Sequence, residues 1–281
     1  MKRPLLIDAF PFHDEVDILE CRLVEMYPVV DWFVLVEADV THQDRPKPSY
    51  FMEHQERFEP WADKIIRVWA TGLPTIKDDP DPWAREHAQR EHIVTGLAGI
   101  PGINEHSILM QSDVDEIPSR LAARNVRPGR QVVGFEQRGH FWAVDWQYPL
   151  PWYGTTATTI AGLDRLGQFR FSRMRDLRNL CPIKIPNGGW HLSWLGGRDR
   201  ALKKLGSFCH PEVEDRIHGA IVDDEMFYWR EGWHVDGQRM APVDVDKSWP
   251  KWIADGNAPA SWYRPRDGAH IAHSNAPKKL V

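Results

Sequence analysis

Along the first half of the chain, short unbroken apolar runs alternate with stretches in which apolar residues recur at helical spacing. Residues 5–10 (LLIDAF), 32–37 (WFVLVE), 64–69 (KIIRVW) and 106–111 read as buried strands. Between the first two, Val16, Leu19, Leu23 and Met26 keep a helical period, and Asp14 stands where a helix cap belongs. Asp81 and Pro82 form a cap and first-turn pair that opens a long helix through Leu97, with Gly96 and Gly99 near its stop. Strands alternating with helices predict an α/β fold with a mixed, mainly parallel sheet flanked by helices, and ligands in such sheets sit at the carboxyl ends of strands. The second half is less regular. Residues 131–146 suggest one or two strands and 188–195 another, while 199–208 and 222–230 suggest short helices. The uncharged segment 146–163 is interrupted by Pro149, Pro151 and Gly154, so it reads as buried strand and loop rather than a membrane span. No linker divides residues 1–260, which are expected to form a single domain followed by a tail over 261–281.

Composition narrows the function classes. With 42% hydrophobic and 27% charged residues the chain is an ordinary globular sequence, and disorder is excluded as its main state. The net charge of −5 gives no long-range attraction to nucleic acid or an anionic membrane, so either partner would need a local basic patch. Cys21, Cys181 and Cys209 are odd in number and lack CxxC spacing, which argues against a disulfide framework or zinc knuckle and fits a reducing cytoplasm. The apolar run at the start stops at Asp8, short of the roughly 7–15 residues of a secretory signal, so nothing is expected to direct export. Fourteen tryptophans serve either core filling or stacking on sugars and bases.

Four stretches carry candidate chemistry. Ser112-Asp113-Val114-Asp115-Glu116 follows a predicted strand, and carboxylates two residues apart can share a hard cation, Mn²⁺ or Mg²⁺, that leaves positions for phosphate oxygens. The bland alternative is a polar turn. In the preceding helix the stripe of Ile93, Val94 and Leu97 extends back to Arg90, which puts a guanidinium where an apolar residue belongs, with Arg85 and Gln89 one turn apart beside it. Either Glu86 pairs with Arg90 on the surface, or these residues reach a bound diphosphate. In 187–194 (NGGWHLSW) two glycines allow backbone to approach a ligand, Trp190 and Trp194 offer platforms for a sugar, and His191 is either a third metal ligand or a satisfied core histidine. Residues 163–178 carry five arginines against two aspartates, with Phe169 and Phe171 interleaved, and 198–204 carry four cations against Asp199; both read as solvated faces or as sites for a diphosphate or polyanion.

Five ordered blocks, IDAFPFHDEVDILECRL (7–23), WFVLVEADVTHQDRPKPSYF (32–51), REHAQR (85–90), SDVDEIP (112–118) and GGWHLSW (188–194), resemble glycosyltransferase family 17 over roughly residues 4–240. The resemblance implies a single GT-A-type domain, with a nucleotide-binding half over 1–118 and an acceptor-binding half over 119–260. It implies a UDP-sugar donor, with GlcNAc the expected sugar, and an inverting transfer. Asp113 and Asp115 would be the DxD pair holding the divalent cation. Glu37, Thr41, His42 and Lys47, with Arg85, Gln89, Arg90 and Asp113, would surround the nucleotide. An inverting transfer needs a general base at the acceptor hydroxyl, and a carboxylate is expected in that role. Asp224 is the first candidate, followed by Asp145 and Glu136. Trp190, Trp194, Arg173 and Arg175 are the candidates for acceptor binding. No signal anchor is expected, so the acceptor should be a glycan or another hydroxyl compound met in the cytoplasm. Three alternatives remain open: transfer to hydroxylated bases of nucleic acid, a metal-dependent phosphoesterase, and a non-catalytic sugar-binding module. The phosphoesterase is disfavoured because a two-metal site wants more ligands than this acidic cluster supplies.

Overall fold

The first, second and fourth apolar runs form strands buried on both faces, as parallel strands between helical layers must be, and the third forms the half-exposed edge strand. They are β1 (Leu6–Phe12), β2 (Trp32–Ala38), β3 (Ile65–Ala70) and β4 (Ile108–Gln111). The computed structural model, which describes residues 3–207, His218 and 227–264, pairs them in parallel, with β1 between β2 and β4, and β3 outside β2. Past β4 the sheet becomes mixed. It continues through β5 (Glu116–Pro118), β6 (Val133–Phe141), β7 (Trp146–Thr159) and β8 (Lys184–Ser193) in the order β3-β2-β1-β4-β7-β6-β8-β5. Strand β7 runs antiparallel to β4 and β6, β8 is parallel to β6 and antiparallel to β5, and β9 (Ala241–Pro242) pairs with the start of β7.

Several sequence expectations change here. Residues 146–159, expected as strand and loop, form one long strand; its prolines Pro149 and Pro151 fall on an exposed stretch, where their missing N–H costs little. The helix opened by Asp81 is capped as expected, its carboxylate accepting from Trp83 N at 3.0 Å, but it breaks at His92 into Pro82–Glu91 and Ile93–Ala98. Asp14 does not cap α1 (Val16–Met26): Glu15 holds that position, and Asp14 instead pairs with Arg200 and Lys203. Gly188 and Gly189 admit protein backbone rather than a ligand. A Cβ on Gly188 would lie 2.7 Å from Phe135 Cβ, and one on Gly189, whose φ is +138°, 2.0 Å from the Ile117 carbonyl oxygen. They let β8 press between β6 and β5.

The sheet has a core on each face. One side gathers Phe10, Leu19, Leu23 and Phe33 with Trp252 and Trp262; the other gathers Val34, Val36, Ile93, Leu97 and Met174. An aromatic cluster of Phe141, Trp142, Trp146, Tyr148 and Tyr228 closes the ends of β6 and β7, so these tryptophans fill space. Because Trp262 is buried and its carbonyl accepts from Val144 N at 2.7 Å, residues 261–264 belong to the body rather than to a tail; 265–281 lie outside the described residues. A helix occupies Gly197–Leu205, and Phe227–Glu231 is the described part of the expected 222–230 helix.

Buried His140 on β6 packs against the Trp249 ring at 4.4 Å, and burial, reinforced by Arg138, pushes its pKa down to about 3. An unfolded histidine titrates near 6.5, so the unfolded chain binds the extra proton between these values and stability falls as pH drops from about 6.5 toward 3. Urea unfolding at pH 7 and pH 5 is expected to show a loss on acidification that shrinks by about 2 kcal/mol in His140→Gln; an unchanged loss would contradict the assignment.

Candidate active site

The acidic loop is shaped from beneath by one side chain. Arg22 on α1 is fully buried, at a position one helical step from Ile18 that the apolar period would give to a core residue. Its guanidinium holds the Asp8 carboxylate through two bonds of 2.9 and 2.6 Å and donates to Ser112 Oγ at 2.8 Å. It also donates to the carbonyls of Asp113, Val114 and Glu116 at 2.8, 3.2 and 3.2 Å. The remaining carbonyl, of Asp115, accepts from Leu192 N on β8 at 2.8 Å. Every carbonyl from 113 to 116 is therefore tied inward.

The two carboxylates then part company. Asp113 accepts from Arg90 and Arg175; although burial alone would raise its pKa, these cations hold it well below the usual carboxylate range. Asp115 lies 3.6 Å from His191 Nε2 and 3.5 Å from Lys204 Nζ, and the same contest between burial and cations leaves it at about 2. The His191 ring is fixed by Trp152, stacked on it at 4.2 Å, and by the edge of Phe141 at 5.1 Å. Trp152 in turn donates from Nε1 to Glu116 at 2.9 Å. A separation of 3.6 Å between Asp115 and His191 suits two neighbouring ligands of one hard cation, which stand about 3–3.6 Å apart for bonds near 2.1 Å. Among the described residues no three His, Cys, Asp or Glu side chains converge on one ion position, so the rest of such a shell would come from phosphate and water.

These groups face a cavity of about 460 Å³ at the carboxyl ends of β1 and β8. Glu86, Gln89 and His42 line one part of it, Arg175, Arg178 and Lys204 supply positive charge, and Phe12, Phe141, Trp152 and Trp194 supply apolar surface. A second cavity of about 610 Å³ shares Glu15, Asp115, Trp194 and Lys204 with it. A recess of about 70 Å³ is bounded by Thr41, His42 and Lys47. Trp194 and Trp142 follow the ends of the parallel strands β8 and β6. Both have left-handed backbones, with φ of 62° and 69°, and their rings stack at 5.0 Å.

The sequence-derived candidates divide on this geometry. Gln89, His42, Asp113, Asp115, Arg175, His191 and Trp194 meet at the main cavity, with Thr41 and Lys47 at its recess. Glu37 does not: it is fully buried and spent on Ser49 Oγ, Tyr50 N and Lys47 Nζ, anchoring the chain after β2. Arg85 is buried beneath the loop and donates to the carbonyls of His42 and Asp79. Arg90 does pair with Glu86, but in the interior rather than at the surface, and it reaches Asp113 rather than the cavity. Asp113 is thereby separated from Asp115 and His191 as a metal ligand. Trp190 is core, and Arg173 is exposed and donates to the Leu166 carbonyl. Asp145 binds the backbone and side chain of Arg264 at 2.9 and 3.1 Å, and Glu136 lies on β6 opposite Tyr153; neither lines these cavities. Asp224 lies outside the described residues.

Sequence reasoning missed Glu15, Trp152, Arg178, Lys204 and His234 as cavity residues. Arg178 and Lys204 stood within the two basic stretches, but nothing in the pattern marked which of those cations turn inward. Glu15 accepts from the backbone of His13 and Asp14, and burial, with Asp14 beside it, raises its pKa.

The chain matches the family model described as Glycosyltransferase family 17 over residues 1–218. Among curated proteins, the β-1,4-mannosyl-glycoprotein 4-β-N-acetylglucosaminyltransferases of Rattus norvegicus and Homo sapiens are each 24% identical over 217 residues, covering 67% of this chain and 40% of theirs. The chain thus spans about two fifths of the length of the curated relatives it matches. A solved 2-C-methyl-D-erythritol 4-phosphate cytidylyltransferase from Francisella tularensis overlaps 64% of this chain and 89% of its own, at 11% identity and a TM-score of 0.32, too loosely to argue from.

Removing Arg22 would leave Asp8 as a buried, uncompensated carboxylate. Arg22→Met is expected to lose about 3–5 kcal/mol in urea unfolding, and adding Asp8→Leu should restore most of it. A single variant as stable as the parent would show that the pair does not anchor the loop.

Proposed function

The chain belongs to glycosyltransferase family 17, and on that premise we propose that this glycosyltransferase moves GlcNAc from UDP-GlcNAc to a hydroxyl of a glycan or other cytoplasmic acceptor, with inversion and with a divalent cation. The observation that carries the reading is the convergence of Asp115, His191, Arg175, Arg178 and Lys204 on one cavity at the strand ends. A nucleoside diphosphate is a leaving group that needs such a concentration of positive charge.

Asp115 and His191 would hold the cation, which supplies Lewis-acid stabilisation of the departing diphosphate when bound. Arg175, Arg178 and Lys204 add donors where that charge develops, in a partly desolvated site where each is worth more than in water. Asp113 and Glu86 keep Arg175 aimed: Asp113 Oδ2 lies 3.4 Å from its Nη2 and Glu86 Oε1 3.7 Å from its Nε. On the nucleoside, His42, Gln89 and Glu15 offer hydrogen-bonding groups, with Thr41 and Lys47 at the adjoining recess. His42 donates from Nε2 to Gln89 Oε1 at 3.0 Å, and burial lowers its pKa, which favours the neutral ring. Trp194 offers an apolar face to a pyranose where the two larger cavities share a wall.

The alternatives draw less support. Two-metal hydrolysis needs ligands beyond Asp115 and His191, and Asp113 is held by arginines. For a nucleic-acid acceptor the arginine stretch would have to face outward as a whole, yet Arg175 and Arg178 turn into the cavity and Arg170 pairs with Asp164, which leaves only Arg165 and Arg173 exposed without a carboxylate partner among the described residues.

Calorimetric titration of UDP-GlcNAc is expected to give binding with Mn²⁺ that weakens at least tenfold in EDTA and in Asp115→Asn, with an unchanged thermal midpoint. Equal affinity in EDTA would remove the cation from the mechanism. An absence of binding to UDP, UDP-GlcNAc and UDP-glucose alike would remove the donor.

A further inference from the structure

One wall of the main cavity is built by a turn that no sequence motif marked. Trp233 and Arg239 form an isolated bridge that closes the turn, and within it His234 and Asp236 face each other, with Nδ1 2.9 Å from Oδ1. The second oxygen of Asp236 accepts from Tyr148 Oη, so both of its oxygens are engaged. The imidazole is wedged between two further rings, Phe141 at 4.3 Å and Tyr148 at 4.9 Å, which removes its rotational freedom. Its side chain is 14% exposed and lines the same cavity as Asp115, His191 and Trp194.

This arrangement fixes chemistry as well as position. The Asp236 carboxylate lies 2.9 Å from Nδ1, nearer than the Asp236 backbone N–H at 3.4 Å, and it stabilises the tautomer with the proton on Nδ1, which leaves the lone pair on Nε2. Among the described residues Nε2 has no hydrogen-bond partner, and burial keeps the ring neutral by outweighing the pull of Asp236. Of the cavity's carboxylates, Asp113 is held by arginines and Asp115 by Lys204 and His191, while Glu86 meets its arginines through Oε1 and Glu15 accepts two backbone N–H groups through Oε2.

We propose that His234 is the general base of the transfer, with Asp236 and Tyr148 as its positioning residues. The assignment rests on the transferase reading above. His234 Nε2 takes the proton of the acceptor hydroxyl as that oxygen forms its bond to the anomeric carbon. The bond from that carbon to the β-phosphate oxygen breaks, and its electron pair leaves with UDP. The resulting imidazolium is stabilised by Asp236 and returns its proton to water. A histidine neutral near pH 7 and oriented by a carboxylate meets the requirements for such a base, and this role is worth about 10²–10⁴ in rate.

The test uses the full chain with Mn²⁺ and UDP-GlcNAc and follows UDP release with water as acceptor, alongside ¹⁵N NMR of the histidines at pH 7. His234→Gln is expected to lower kcat at least a hundredfold with KM for UDP-GlcNAc within threefold. Asp236→Asn should lower kcat about tenfold, and the wild-type spectrum should show a neutral His234 with Nδ1 protonated. Unimpaired turnover by His234→Gln, a loss found only in Asp224→Asn, or a His234 protonated on Nε2 would each overturn the proposal. The NMR arm needs no turnover and decides the case if water proves a poor acceptor. Failure of wild-type chain to bind UDP-GlcNAc would instead sink the donor reading, so the two failures are told apart.

Discussion

The buried guanidinium of Arg22 is the constraint on which the rest of the site depends. Carrying a charge into a fully buried position is unfavourable by several kcal/mol unless every donor is satisfied. Here Asp8 supplies the opposite charge from β1, and Ser112 and three loop carbonyls supply the remaining acceptors. The loop after β4 cannot relax without stranding that charge. Its backbone therefore turns inward, and its side chains at 113 and 115 are thrown outward to different partners.

A second ionic layer rests on the first. Glu86, Arg90, Asp113 and Arg175 form a continuous chain of opposite charges, while Glu116 joins Arg178 and Trp152 on the other side. Trp152 then stacks on His191. The orientation of the histidine is thus traceable through an indole and a carboxylate to the same loop that Arg22 pins. Groups held in this way keep their geometry before a ligand arrives, which is what electrostatic stabilisation of a leaving group requires.

Much of the fold was legible because buried parallel strands announce themselves as unbroken apolar runs, and β1 to β4 fall where those runs lie. The mixed half was not, because β6, β7 and β8 pair across register shifts and a glycine pair whose role is close approach of backbones. At the site, the break in helical period at Arg90 was a true signal of a buried charge. The same signal at Arg22, one step from Ile18, carried equal information. Motif blocks proved less discriminating. Glu37 and Arg85 stand in blocks beside His42 and Gln89, yet the first pair stabilises the scaffold and only the second faces the cavity. His234 had no local signal, since an i, i+2 pair of His and Asp acquires meaning only when β6 and β7 bring Phe141 and Tyr148 against it.

The stacked pair Trp142 and Trp194 has an energetic corollary. Each indole sits on a left-handed backbone, a conformation that costs a non-glycine residue on the order of 1–3 kcal/mol, and each recovers part of that through the other's ring. Glycine at either position would ease the backbone but reduce the packing of the opposite ring, leaving Trp142 stacked on Tyr228 or Trp194 under Lys204. The two sites are therefore coupled: the stacking lost is the same in either single replacement, so replacing both rings costs less than the sum of replacing each.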